Sequence, residues 1–147
     1  MQGLLANTPL VAAMVATIVA QILKLLLVVL TERRWAFARL LETGGMPSSH
    51  SAAVSALAVS LGSIHGWSSP YFATAAVFAS IVMYDATGIR RAAGLQAEMI
   101  NDLVRELSHV MDEGFKPQAL RTLLGHTYPQ VIVGAMLGIA TGLWFGL

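Results

Sequence analysis

Apolar residues run in long blocks along this chain, and polar residues gather between them. Residues 9–30, PLVAAMVATIVAQILKLLLVVL, carry Gln21 and Lys24 as their strongly polar positions. As a helix this block reaches roughly 33 Å, enough to cross a bilayer core. Asn7 or Thr8 can cap its start, with Pro9 at the first helical position. The block is too long for a signal-peptide core, and no small-residue cleavage site follows it, so it is expected to stay in the mature protein. Residues 48–64 and 70–85 form a second and a third block, joined by a turn containing Gly66 and Ser68–Ser69–Pro70. Each reaches roughly 22–26 Å, short for a full span. They fit either a membrane hairpin with a polar mouth or the buried hairpin of a soluble protein. Residues 129–147 make the last block. Its Gly134 and Gly138 stand four apart, a spacing that lets helices approach closely.

The stretches between the blocks differ from one another. Residues 31–45, TERRWAFARLLETGG, are charged and end in two helix-breaking glycines. They read as a short interfacial helix or turn, with Trp35 and Phe37 at headgroup level. In residues 92–113, Leu95, Met99, Leu103, Leu107 and Met111 recur every four positions, while Gln96, Glu98, Asp102, Arg105, Glu106 and Asp112 lie on the other sides. This pattern predicts an amphipathic helix, either lying on the membrane or covering the mouth of a bundle, with Gly114 able to cap its end. The expected fold is all-α: a single domain over residues 1–147, an integral membrane helical bundle with about four apolar membrane segments and a cytoplasmic amphipathic helix.

Composition supports a membrane solvent. The 147 residues are 56% hydrophobic and only 12% charged, against roughly 25% charged in ordinary soluble domains. The net charge of +1 and the lack of a basic run give no nucleic-acid patch. With no cysteine, disulfides and Cys-based metal sites are excluded. Arg33, Arg34 and Arg39 follow the first block, and Arg90, Arg91, Arg105, Lys116 and Arg121 lie between the third and the last. The N-terminal tail and the turn at 65–69 carry no Lys or Arg. The positive-inside bias therefore places both basic loops in the cytoplasm and both termini outside the cell membrane.

The candidate chemistry gathers at that cytoplasmic mouth. GGMPSSHS, residues 44–51, sets Ser48, Ser49 and His50 at a loop-to-helix junction, where backbone N–H groups suit an oxyanion. Lys24, Arg90, Arg91 and Arg121 can supply compensating charge. His50 and His126 can act as nucleophile or acid. Each residue also has a plainer reading. Ser48 or Ser49 can simply cap the helix. Lys24 can snorkel to the interface, although an ionisable residue inside a span is otherwise a functional candidate. Asp85 with Arg90 and Arg91 can be a structural ion pair at a helix end. His65 and His109 read as solvated surface residues.

GGMPSSHS, YDATGIRRAAGLQAE and LLGHTYPQVIVGAMLG, in this order, resemble the small divergent branch of the type-2 phosphatidic acid phosphatase and vanadium haloperoxidase superfamily. The likeness runs from about Gln21 to Gly138. The superfamily carries three signatures: Lys-x6-Arg-Pro, Pro-Ser-Gly-His, and Ser-Arg-x5-His-x3-Asp. Pro47–Ser48–Ser49–His50 is similar to the second, with Ser49 in place of Gly. His126 is similar to the histidine of the third, with Gln130 in place of the acid. The first is only loosely matched: eight residues separate Lys24 from Arg33, and no proline follows. Leu120 stands where the third signature has Arg; Arg121 is one place off, and Arg90 or Arg91 can substitute.

The resemblance implies a metal-independent, cofactor-free lipid phosphate phosphohydrolase. His126 would be the nucleophile that forms a phosphohistidine, oriented by Gln130, and His50 the general acid. Ser48 and Ser49 would be phosphate ligands, with Lys24, Arg90 and Arg91 as clamps and Asp85 and Arg121 in support. Isoprenoid phosphates and glycerolipid phosphates both fit, at the cytoplasmic leaflet. The alternative is a non-catalytic lipid-phosphate binder or translocator using the same cradle. A homodimer or larger assembly is left open, since so few segments in one protomer need not enclose a lipid.

Overall fold

The computed structural model describes residues 2–33, 44–107 and 118–147. The expectations for Trp35 and Phe37, for Arg34, Arg39, His109 and Lys116, and for the amphipathic pattern at Met111, Asp112 and Gly114 lie outside the described residues. Within them the chain forms six helices: α1 (Gln2–Leu5), α2 (Thr8–Glu32), α3 (Ser49–His65), α4 (Pro70–Thr87), α5 (Ile89–Leu107) and α6 (Tyr128–Gly146). The apolar blocks became α2, α3, α4 and α6 almost residue for residue. The amphipathic pattern became α5, which starts three residues earlier than its periodicity suggested.

Local chemistry fixes the ends. Asn7 caps α2, its side-chain oxygen accepting from the Leu10 N–H at 3.2 Å, and Pro9 sits second in the helix rather than first. Ser69 caps α4 in the same way, accepting from the Phe72 N–H at 3.2 Å, with Pro70 opening the helix. The turn between α3 and α4 is held by Trp67, whose ring packs edge-on against Phe72 with centroids 5.1 Å apart. The Trp67 ring also covers Gly62, where a Cβ would lie 2.6 Å from the Trp67 Cζ3.

The bundle is built with small residues inside and large ones outside. α3 is the central helix, touching α2, α4 and α6. Its buried positions are Ser49, Ser51, Ala52, Ser55, Ala56, Ala58, Ser60 and Gly62. α2 meets it with Ala12, Ala16 and Ala20, all 0% exposed, and the same stripe continues one turn further to buried Lys24. α6 meets it with glycines. A Cβ on Gly134 would collide with the Ser48 carbonyl oxygen, one on Gly138 with the Ala52 carbonyl oxygen, and one on Gly146 with the Ser63 Cβ. On Gly142 it would come within 2.7 Å of the Ala56 carbonyl oxygen. Ile18, Ile22 and Leu26 on α2, Val77 and Ile81 on α4, and Ile132 and Met136 on α6 face outward. Lipid tails are as apolar as these side chains, so burying them gains little. Close backbone packing through small residues is what holds membrane helices together.

Three stretches are long and apolar enough to cross a membrane: Thr8–Thr31, a window within Pro70–Leu107, and Tyr128–Gly146. α3 is not among them, because its 17 residues are too few and too rich in serine. It has little need of an apolar surface, since three helices surround it. Exposed Tyr84 and Tyr128 mark one end of the bundle, and exposed Trp67, Tyr71 and Trp144 the other. Such aromatic girdles form at membrane–water interfaces.

The packing predicts a sharp contrast between glycines. Gly138→Ala forces α3 and α6 apart and should cost about 1–3 kcal/mol, read as a lowered thermal unfolding midpoint in detergent. Gly3→Ala, where a Cβ has nothing within 4 Å, should stay within about 0.5 kcal/mol of the parent.

Candidate active site

Two chain segments bring the site together at the Tyr84–Tyr128 end of the bundle. The first is the loop 44–48 entering α3. Gly45 adopts φ +91, a left-handed conformation that suits glycine, and a Cβ there would sit 3.5 Å from the Lys24 Cδ. The loop thus lies on the methylene stem of Lys24. Met46–Pro47 is a cis peptide. Ser48 is fully buried and caps α3: its hydroxyl oxygen accepts from the Ser51 N–H at 3.3 Å and from the Ser51 hydroxyl at 3.0 Å. Of the two readings open for Ser48, capping is the one this geometry displays. Ser49 follows, buried, as the first residue of α3, and His50 as the second, exposed.

The second segment, 118–127, runs back along α5. Asn101 on α5 grips the Leu120 backbone with both ends of its amide, donating to the carbonyl at 2.9 Å and accepting from the N–H at 2.9 Å. Gly94 leaves room for the chain: a Cβ there would lie 2.7 Å from the Thr122 carbonyl oxygen and 2.9 Å from that of Leu124. Gly125, at φ +78, rests on the backbone of Arg90 and Arg91, where a Cβ would be 2.7 Å from the Arg91 Cα. The His126 N–H then donates to the Ala86 carbonyl at the end of α4, at 2.8 Å. The backbone of His126 is thereby placed by the Asn101 side chain and by close backbone contacts.

Gln130 ties the two segments together. Its side-chain oxygen accepts from the Thr127 N–H at 3.0 Å, the capping-box arrangement at the start of α6. The same oxygen lies 3.2 Å from the His126 Nδ1. A backbone N–H can only donate, so this oxygen is the acceptor, and Nδ1 must carry the proton. In this neutral tautomer Nε2 is the unprotonated ring nitrogen. The Gln130 backbone carbonyl meanwhile accepts from the Ser48 N–H at 3.1 Å, joining the start of α6 to the start of α3.

His50 and His126 line one cavity of about 60 Å³ with Val82, Asp85, Ala86, Arg90 and Gly125. Lys24 is 3% exposed, and its positive charge bears on both histidines; that of Arg90 bears on His50. Burial holds the pKa of His126 below the ordinary imidazole value. The Gln130 hydrogen bond works against that shift, the charges of Lys24 and His50 add to it, and a hydrogen bond to the Gly45 backbone opposes it.

Asp85 forms an ion pair with Arg90 through Oδ2 and Nε. Arg91 looks elsewhere: it lines a neighbouring cavity of about 200 Å³ with Gly45, Gly94, Glu98, His126 and Gln130. Arg121 is exposed and lines neither cavity. His65 packs its ring against Tyr71, 5.1 Å between centroids, at the far turn. Among the described residues no three His, Asp or Glu side chains gather as a metal-ligand set. Sequence reasoning missed Asn101, Gly94 and Gly125. A single Asn beside an apolar stripe gives no signal, and the two glycines read as helix and loop punctuation.

No solved structure matches the chain. A curated relative, "Uncharacterized membrane protein YuiD" of Bacillus subtilis (strain 168), is 41% identical over 145 residues, covering 92% of each chain. The model of the Divergent PAP2 family matches residues 5–141, a stretch that takes in Lys24, both histidines and Gln130, and on that match this membrane protein belongs to the Divergent PAP2 family.

Proposed function

We propose that the protein is a membrane phosphatase that hydrolyses a lipid phosphate through a phosphohistidine on His126. The observation that supports it most is the single cavity shared by His50 and His126, with Arg90 at its wall and the charge of Lys24 bearing on both rings. With Nδ1–H given to Gln130, the Nε2 lone pair of His126 attacks phosphorus. The lipid alkoxide leaves and takes a proton from His50. A water then gives a proton back to His50 and attacks the phosphohistidine, releasing inorganic phosphate and restoring His126. Lys24 and Arg90 stabilise the charge spread over the phosphoryl oxygens. Ser48 keeps the loop in shape through its cap, and neither it nor the buried Ser49 lines the cavity shared by the two histidines.

The cavity is far below the roughly 300–1,000 Å³ of sites that enclose a drug-sized ligand. It therefore takes a phosphoryl group and leaves the tail outside. Val82 lines the cavity and its neighbour on α4, Ile81, is exposed, which fits a tail that stays in lipid while the head is in the site. The gathering of Arg and Lys in the two loops at this end supports a site that faces the cytoplasm. One observation favours the alternative of a non-catalytic lipid-phosphate binder: Gln130 gives His126 a neutral partner where the related enzymes carry an acid.

Turnover separates the two readings. Purified protein in nanodiscs should release phosphate from farnesyl phosphate or a short-chain phosphatidate. His126→Ala should abolish release, and His50→Ala should slow it about 10²–10⁴-fold. Binding of these lipids with no release by the parent protein would leave the binder.

The lowered pKa of His126 keeps the imidazole neutral at and somewhat below neutral pH. The acidic limb of the rate profile should therefore lie below the ordinary imidazole value of about 6.5. Gln130→Glu supplies a charge that favours the imidazolium and should move that limb upward. Gln130→Ala should cut the rate roughly 10–100-fold through lost orientation.

Sidedness has its own test. Ser68 lies at the turn beyond the far end of α3, and Gln118 on the segment leading to His126. In intact cells Ser68→Cys should react with an impermeant thiol reagent, and Gln118→Cys only after permeabilisation. The reverse pattern moves the chemistry to the outer leaflet.

A further inference from the structure

Two consecutive arginines open α5, and they face different cavities. Arg90 lines the small cavity with both histidines, and Arg91 lines the larger one beside it. Gly125 sits against the backbone of both and lines both cavities. What holds Arg90 in place is Asp85. It lies in the last turn of α4, Arg90 is the second residue of α5, and the helix breaks between them at Gly88. That break lets residues five apart meet, and the Asp85 carboxylate accepts from the Arg90 Nε. The side chains are 31% and 56% exposed. An ion pair this wet adds little to stability, so stability gives no reason for a carboxylate in the wall of an anion site. Unpaired, that carboxylate would repel phosphate.

The atom used matters. A guanidinium has five N–H donors. Asp85 takes Nε–H, which leaves the four hydrogens of the two terminal nitrogens for an anion in the geometry that suits phosphoryl oxygens. His126, by contrast, has its ring partners in Gln130 and Gly45, and Asp85 is not among the groups that shift it.

We propose that Asp85 is a positioning residue: it holds the Arg90 guanidinium over the cavity of His50 and His126, so that its terminal nitrogens receive the phosphoryl oxygens. Asp85 acts through Arg90 and not as the missing acid of His126. The proposal rests on the phosphatase reading of the same site.

The test is a double-mutant cycle on the full chain in nanodiscs of phosphatidylcholine and phosphatidylglycerol. Orthovanadate is the probe, measured by isothermal titration calorimetry. Asp85→Ala and Arg90→Ala should each weaken binding about tenfold, as expected for a charge-assisted contact. The double variant should bind no worse than Arg90→Ala alone. Asp85→Asn keeps the shape and an acceptor oxygen, so it should lose less than Asp85→Ala; it also carries the test if the alanine variant does not fold. With farnesyl phosphate as substrate, Asp85→Asn should raise KM while leaving the acidic limb of the kcat/KM profile where it is in the parent. Additive losses in the cycle, tighter vanadate binding by Asp85→Ala, or a shifted acidic limb in Asp85→Asn would each overturn the role assigned to Asp85 and leave the phosphatase reading standing. A parent protein that binds no vanadate and releases no phosphate removes both.

Discussion

The contact between α3 and α6 sets the geometry of the site. Gly134, Gly138, Gly142 and Gly146 recur every four residues on α6, and each leaves out a side chain where α3 brings backbone or Cβ atoms. Contact this close fixes the axial register of the two helices as well as their distance. Sliding one helix past the other would drive side chains into the spaces the glycines leave. The register places the Ser48 N–H on the Gln130 carbonyl one turn before Gly134. Ser48 precedes His50 by two residues and Gln130 follows His126 by four, so one packing decision puts both histidines at the same end of the bundle.

His50 and His126 are nevertheless supported differently. His50 rides on the first turn of a helix whose start is capped by Ser48. His126 stands at the end of a segment without regular structure, and an unsupported loop is a poor place to hold a group for in-line attack. The support comes from α5, through Asn101, Gly94 and the backbone beneath Gly125. α5 thus has two faces with different tasks. Gly94 and Asn101 carry the segment that ends in His126, while Leu95, Met99 and Leu103 remain exposed in the pattern of an interfacial helix.

The helices were legible because lipid-facing segments must be long and apolar and their ends must be capped, and both demands show in composition. α3 was the exception in kind. Its length and position could be read, but its role as the shielded central helix could not, since that depends on which helices surround it. The glycine spacing was visible at Gly134 and Gly138, yet no sequence pattern names the partner, here Ser48 and Ala52 of α3 rather than a second copy. At the site, residue types were legible and their division of labour was not. Arg90 and Arg91 are chemically equivalent in the sequence; the cavity each lines and the carboxylate of Asp85 separate them. Ser48 could equally cap a helix or face a ligand until its hydroxyl was seen to accept from Ser51.

Gln130 shows how a departure from a family signature can follow from local structure. A carboxylate three or four residues beyond a histidine can orient it and stabilise its charged form. At the N-terminus of α6 the same position must also accept from the Thr127 N–H. A glutamine does both through one oxygen, and it fixes the His126 proton on Nδ1, although a neutral acceptor holds it less strongly than a carboxylate. What it omits is the negative charge. With Asp85 engaged by Arg90, the charges that bear on His126 are the positive ones of Lys24 and His50. Burial first, and then those charges, keep the imidazole neutral, so that in the proposed mechanism an incoming phosphoryl group meets an unprotonated Nε2. An acid at position 130 would hold the imidazolium better once formed, and it would also weaken the pull on an incoming anion. In the proposed mechanism the glutamine therefore shifts the site toward capturing phosphate, with the transition state left to Lys24 and Arg90.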